Sequence, residues 1–480
     1  MKVVGRKEEV ALLKSLLEIE ESEFVAVYGR RRVGKTFLVR EVYKKQIVFE
    51  CSGLHNNNFR QQLENFWLTL QEFNIGGKPH LMPKTWLQAF SQLKSYLNTL
   101  KGEEKKVIFL DEIPWFETPR SGFLAALDNF WNQYCSKRED IILVICGSAA
   151  SWIIKKVISD RGGLHNRITT HVQLMPFTLR ETKMYLESKQ VYLILKDIVQ
   201  LYMSIGGIPF YLRNVKRGKS IPQILDDLFF VNQAILKREF GNLYAALFKN
   251  SEQHEQVVAA LASKNKGLTR SEIIVQTDLK SGGGLSTILK ELIECGFVKQ
   301  IEPFHTKKKK SLYRLVDEYT LFYFNFLKGN KRNSSWLHQS NHAKYKIWSG
   351  YAFENLCLMH IQPIKKALGI HGIITNEYTW GHSGKSATKG TQIDLVIDRS
   401  DNCINIFELK FYNQPFEIAQ SYALQLQQKI EVFKAQTKTS KNVFLTFLTT
   451  MGVKKNKYYL SVVTNQLFIE DLFEEVKSLD

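Results

Sequence analysis

Five short apolar runs mark the first half of the chain, near 24–28, 47–50, 107–111, 141–146 and 171–174, with stretches of helical period between them. Val107-Ile108-Phe109-Leu110 and Ile141-Ile142-Leu143-Val144-Ile145-Cys146 are apolar at every position. Strands buried on both faces of a parallel sheet read this way, whereas strands with one wet face alternate. The alternation of such strands with helices predicts an α/β domain over 1–235. Two helical patterns, around 61–67 and 86–97, fall between the second and third strands. After Pro176-Phe177 the period stays helical through 180–189 and 193–205, which predicts a helical lid.

The pattern changes at about 236. Helical stretches at 252–262, 269–276 and 285–295 lead into Gly296-Phe297-Val298, a tip at Thr306-Lys307-Lys308-Lys309-Lys310 and a return strand at 312–316. This order predicts a winged helix over 236–335, whose third helix can enter a major groove and whose lysines would touch phosphates without reading sequence. The bland alternative is a winged helix used only for protein contacts. The aromatic run 321–327 lacks interleaved basic residues and reads as packing between domains. The last domain, 336–480, centres on a hairpin of 392–397 and 404–410.

The first strand runs directly into Gly29-Arg30-Arg31-Arg32-Val33-Gly34-Lys35-Thr36-Phe37, which has the form GxxxxGKT followed by a helix. Such a loop aims backbone N–H groups at phosphates, and the helix N-terminus adds to that field. Lys35 would reach the β- and γ-phosphates, and Thr36 would ligate Mg²⁺. The third strand ends in Asp111-Glu112, where Asp111 would hold Mg²⁺ through water and Glu112 would polarise the attacking water. Ser148, after the fourth strand, would sense the γ-phosphate or orient the water; a serine there is also an ordinary turn residue. In the last domain, Glu408 and Lys410 lie two apart on one strand and so share a face. With Asp394 on the neighbouring strand and Glu354 on a helix, they would bind Mg²⁺ and steady a nucleophilic water at a scissile phosphate.

Composition adds limits. At 480 residues, with 44% hydrophobic and 24% charged residues, the chain can bury cores without disulfide or metal staples. Its six scattered cysteines form no C-x-x-C pair and read as reduced thiols of a cytoplasmic protein. No apolar run suits a membrane span or a signal peptide. The formal charge of +19 favours anionic partners, nucleic acid first, although a lysine-rich surface alone would also give it.

Taken together, the chain resembles prokaryotic AAA-type ATPases often called archaeal ATPases, with a winged helix and a C-terminal domain similar to domain of unknown function 234. The marks are Val4-Gly5-Arg6-Lys7-Glu8-Glu9, the 29–36 loop, Asp111-Glu112, Leu174-Met175-Pro176-Phe177 and Gly206-Gly207-Ile208-Pro209-Phe210-Tyr211. The resemblance implies ATP as the nucleotide, Gly5 and Arg6 near the adenine, and Pro209 in a lid element that contacts it. It implies Arg167 as an arginine finger, with Arg161 as competitor, and hence a homo-oligomer or protein partner. The C-terminal domain is similar to the PD-(D/E)XK nuclease fold of restriction enzymes and Holliday junction resolvases, with Asp394, Glu408, Lys410 and Glu354 matching its pattern. The helix that follows, 418–433, has Gln420 and Gln425 but no Q-x-x-x-Y. Three functions remain open on this reading: an ATP-dependent DNA-cutting protein, an ATP-switched regulator without nuclease activity, and an ATPase acting on a protein.

Overall fold

A computed structural model describes residues 2–75, 81–148, 150–158, 167–248, 250–280, 282–304, 311–329, 335–339, 343–382 and 390–476. The chain divides into two compact units, Met1–Met175 and Pro176–Asp480. The helical stretch expected as a lid belongs to the second.

The first unit is built on β1 (Glu23–Tyr28), β2 (Ile47–Ser52), β3 (Lys106–Asp111), β4 (Ile141–Gly147) and β5 (Thr170–Gln173). They form one sheet in the order β2-β3-β4-β1-β5. Every pairing is parallel. The inner strands β3 and β4 are buried at every residue, as their unbroken apolar runs require, while the outer β2 and β5 keep some exposed positions. On one side lie the helices Phe59–Phe73 and Trp86–Thr99, started by side-chain caps from Asn58 and Thr85. Trp86 meets Phe66, Phe116 and Phe123 edge-on in the core between them. Because all strands run the same way, the ends of β1, β3 and β4 open on one edge of the sheet. The loop after β1, the acids after β3 and the serine after β4 meet there.

The second unit begins with the helices Leu179–Ser188 and Leu195–Ile205. Three further helices, Ser251–Ser263, Arg270–Thr277 and Gly283–Glu294, accompany β6 (Leu268–Thr269), β7 (Val298–Ile301) and β8 (Leu312–Leu315). These strands form an antiparallel sheet in the order β6-β8-β7. The lysine tip, Lys307 to Lys310, lies outside the described residues. The aromatic run packs inside this unit: Phe322 and Phe326 stand edge-on to Trp336 and Trp348.

After the helix Ala343–Met359 come β9 (Thr375–His382), β10 (Thr391–Arg399) and β11 (Cys403–Lys410), then the helix Gln420–Thr437, β12 (Asn442–Thr449) and β13 (Asn465–Phe468). The sheet order is β13-β12-β11-β10-β9. β9, β10 and β11 pair antiparallel, and β11, β12 and β13 pair parallel. Phe304, just past β7, packs against Tyr378 and Phe433 of this second sheet. Its N–H donates to the Thr379 carbonyl at 2.9 Å, and its ring joins the hydrophobic core of the second sheet. Among the described residues no helix is long and apolar enough to cross a membrane.

Candidate nucleotide site and a second charged cluster

The loop after β1 needs its glycines. Gly29 has φ +152°, and a Cβ there would sit 2.2 Å from the Leu174 carbonyl oxygen. Gly34, at φ +95°, is the N-cap of the helix Lys35–Val42. Arg32 between them is also left-handed, at φ 72°. Arg30 and Val33 are buried, Arg31 and Arg32 half-buried, and Phe37 exposed.

Lys35 is 5% exposed, and its ammonium donates to the carbonyls of Gly29 and Arg30, both at 3.0 Å, and to Ser148 Oγ at 3.1 Å. Each of these three acceptors is a neutral oxygen. The Thr36 hydroxyl donates to Asp111 Oδ2 at 2.7 Å, and Asp111 Oδ1 accepts the Glu112 N–H at 2.9 Å. Glu112 itself stands at φ 48°, ψ 50°, a left-handed conformation that costs a non-glycine residue about 1–2 kcal/mol. Its carboxylate accepts from Ser148 twice, from Oγ at 2.6 Å and from N–H at 3.1 Å. A continuous chain, Lys35 to Ser148 to Glu112, thus ties together the ends of β1, β4 and β3. The edge of the sheet presents a buried cation, a hydroxyl facing a carboxylate, and a second carboxylate held by a serine, the equipment for binding a phosphate chain and activating water beside it.

A family model described as "ATPase domain predominantly from Archaea" matches residues 3–215. Over these residues the chain is similar to archaeal-type ATPase domains. An uncharacterized protein of Methanocaldococcus jannaschii is 25% identical over 403 residues, which cover 82% of this chain and 83% of the relative. Two solved structures overlap 67% of the chain at low identity. The Walker-type ATPase of Pyrococcus abyssi is 18% identical, with 96% of its length covered and a TM-score of 0.49. The Aeropyrum pernix ORC2 protein, in its ADPNP-ADP complexes, is 15% identical, with 93% covered and a TM-score of 0.45.

The other residues expected around the nucleotide lie on separate elements. Gly5 and Arg6 both have positive φ, 69° and 55°, at the start of the helix Lys7–Ser15. The buried Arg6 guanidinium donates to the Met175 carbonyl and pairs with Glu9 at 3.3 Å. Arg167 is exposed, and the preceding 159–166, including Arg161, lies outside the described residues. Pro209 belongs to the second unit and opens the short helix Pro209–Leu212. Two residues before it, Gly207 accepts the Phe177 N–H at 2.7 Å, and a Cβ at Gly207 would fall 1.9 Å from the Phe177 carbonyl oxygen.

The C-terminal candidates come from three elements of the second unit: Glu354 from the helix Ala343–Met359, Asp394 from β10, Glu408 and Lys410 from β11. Among the described residues no three His, Cys, Asp or Glu side chains gather as a metal-holding group. Each of these carboxylates has a side-chain partner of its own. Glu408, 5% exposed, lies between Lys410 at 3.1 Å and Lys429, and accepts from the Tyr422 hydroxyl at 3.0 Å. Burial opposes its ionisation, but the two lysines outweigh it and hold the carboxyl below its usual range. Asp394 accepts from Gln392 Nε2 at 2.6 Å. Glu354 pairs with Arg314 of β8 at 3.4 Å. Burial and then the charge of Asp394 push the Glu354 carboxyl up to about 7, with Arg314 opposing.

Arg314, Gln392, Tyr422 and Lys429 were not among the residues read from the sequence. A signal existed for two: Tyr422 and Lys429 are seven apart, two turns along one face of the helix that follows β11. Nothing local pointed to Arg314, 80 residues before Asp394.

Proposed function

We propose that the ATPase domain drives or gates an action on DNA, carried out by a winged helix over 236–335 and a nuclease-like domain over 336–480. Thr36 and Asp111 would hold Mg²⁺, which when bound neutralises phosphate charge; the facing hydroxyl and carboxylate are the hard oxygen donors such an ion takes. Lys35 turns to the β- and γ-phosphates, Glu112 takes the proton of the attacking water, and Ser148 orients Glu112. Gly5 and Arg6 border the adenine, Pro209 contacts the nucleotide from the lid, and Arg167 completes a neighbouring subunit's site. The charge of +19 supports DNA as partner.

The observation that carries the nuclease reading is Lys410, fixed 3.1 Å from Glu408 on β11 of a sheet whose next strand bears Asp394. On this reading Glu354, Asp394 and Glu408 take Mg²⁺ and Lys410 steadies the hydrolytic water. Purified protein with ATP and Mg²⁺ or Mn²⁺ is incubated with linear, single-stranded and branched DNA. Cleavage that Lys410→Ala abolishes while ATP hydrolysis survives is the expected result; cleavage unchanged in that variant would sink the assignment. The existing pairing of each carboxylate favours a second reading, an ATP-switched DNA-binding regulator. That protein would bind DNA with a steep loss of affinity in salt and cut nothing under either metal.

A further inference from the structure

The helix Leu179–Ser188 begins where water does not reach: Leu179 is 0% exposed, so its N–H, which no turn of its own helix can satisfy, needs an acceptor from elsewhere. The capping box does not supply one. Thr178 Oγ1 accepts the Glu181 N–H at 3.2 Å and Glu181 Oε2 accepts the Thr178 N–H at 2.9 Å, which leaves Leu179 aside. Its acceptor is His360 Nε2 at 3.1 Å, 181 residues away and 4% exposed. Nε2 can accept because Nδ1 carries the proton and donates it to the Leu356 carbonyl at 2.8 Å. The imidazole also stands edge-on to Tyr202, whose hydroxyl donates to the Phe177 carbonyl at 2.8 Å. Phe177 in turn donates its N–H to the carbonyl of Gly207, two residues before Pro209. On its other side His360 directly follows the helix Ala343–Met359, whose Phe353 meets the ring of Phe411, the residue after Lys410.

We infer that His360 is the joint by which the helices expected as the lid and the helix bearing Glu354 move as one body, so that a nucleotide held at Pro209 is felt at β11. This regulation rests on the reading that Pro209 contacts the nucleotide. A buried N–H left without an acceptor is costly, so the first turn of the lid cannot part from His360 without finding another acceptor or water. A second tie joins the same parts, from Arg180 to Glu475 at 3.0 Å and from Glu474 to Lys366 at 3.1 Å, but its charges are exposed and hold weakly. His360 is a positioning residue on this account, acting through the two helices it joins and not on a substrate.

The test follows hydrogen–deuterium exchange by mass spectrometry in the full chain carrying Glu112→Gln, with and without ATP and Mg²⁺. In this parent ATP should slow exchange in 177–212 and in 343–367 together. His360→Phe keeps a ring against Tyr202 but offers no acceptor. Without ATP it should speed exchange in 177–188 about ten-fold and leave 251–294 at the parent's rate. With ATP it should keep the response of 177–212 and lose that of 343–367. His360→Gln, whose amide oxygen can accept the Leu179 N–H, should restore the lost response. A 343–367 response that persists in His360→Phe overturns the inference, as does one lost equally in His360→Gln, or a speeding of 251–294 that matches 177–188. Should His360→Phe not fold, Tyr202→Phe, which cuts the bond to Phe177 and keeps the ring edge, is judged by the same loss of the 343–367 response. A parent in which 177–212 responds and 343–367 does not overturns the inference alone; a parent in which 177–212 does not respond sinks the reading of Pro209 and the inference with it.

Discussion

Lys35, the first residue of the helix after β1, and Lys410, the last of β11, are both partly or wholly buried lysines, but their partners differ in kind. Lys35 is hydrogen-bonded to two carbonyls and a hydroxyl, all neutral. Lys410 faces a carboxylate that a second lysine also holds. The first arrangement leaves a positive charge available to an anion and relies on backbone to do so, with Gly29, Arg32, Gly34 and Glu112 all at positive φ. The second is assembled from side chains, with each cation already paired to a carboxylate. A phosphate-binding site can be prepared in advance by oriented dipoles, because its ligand brings the charge. A carboxylate cluster has to be kept from repelling itself before any cation arrives, and here its own chain supplies the cations.

That contrast can be broken most directly at Lys35. Lys35→Ala should lower the rate of phosphate release from ATP by about 10³-fold, since it removes a donor to the transferred phosphoryl group. Mn²⁺ binding at the C-terminal cluster should be unchanged, and a matching loss of ATP hydrolysis in Lys410→Ala would erase the separation of the two sites. Glu112→Gln should cost about 10²-fold in turnover with nucleotide affinity retained, read by equilibrium binding beside phosphate release. A variant that loses binding as well would show Glu112 to be structural. Ser148→Ala should cost less, on the order of ten-fold, because it removes the Oγ hydrogen bond to Glu112 while the backbone N–H bond and the carboxylate itself remain. If instead Ser148→Ala equals Glu112→Gln, the serine acts on the phosphate itself.

The same contrast explains what was legible in the sequence. The loop 29–36, the acids 111 and 112 and the five strands were readable because each depends on neighbours in the chain: a glycine where φ must be positive, an apolar run where both faces are covered. Strand ends matched within one or two residues for this reason. The left-handed conformation of Glu112 was not readable, because it follows from the contact with Ser148, 36 residues away. In the C-terminal cluster Asp394, Glu408 and Lys410 stood out by their spacing on apolar strands. Their partners did not, because Arg314 is brought in by a different sheet, and Lys429 by a helix whose face is set only once it packs. Ion pairs between Arg314 and Glu354, 40 positions apart, and between Lys429 and Glu408, 21 apart, leave no periodic trace.

The smallest effect separates the two units by pH. In the second unit, His360 is buried, with Nδ1–H donating to the Leu356 carbonyl at 2.8 Å and Nε2 accepting the Leu179 N–H at 3.1 Å. Burial lowers its pKa from 6.5 to about 4, so the stability it contributes is present above pH 6.5 and is lost as pH falls toward 4. Glu354, raised to about 7, works in the opposite sense: the folded state takes up its proton first, so stability is gained as pH falls from 7 toward 4.5. Between pH 7 and 5 the two therefore act in opposite senses. The first unit has no such pair among its described residues. Its Asp140, held down to about 2 by Arg138 and then Lys106, contributes above pH 3.8 and loses that contribution only below it. Relative to the native protein, denaturant unfolding at pH 7 and pH 5 should therefore show a Glu354→Gln protein whose second unit is weaker at pH 5 and a His360→Gln protein whose second unit is stronger there. Slopes of the same sign in the two variants would show that Glu354 and His360 do not take up protons in opposite senses on folding, and would remove this contrast with the first unit.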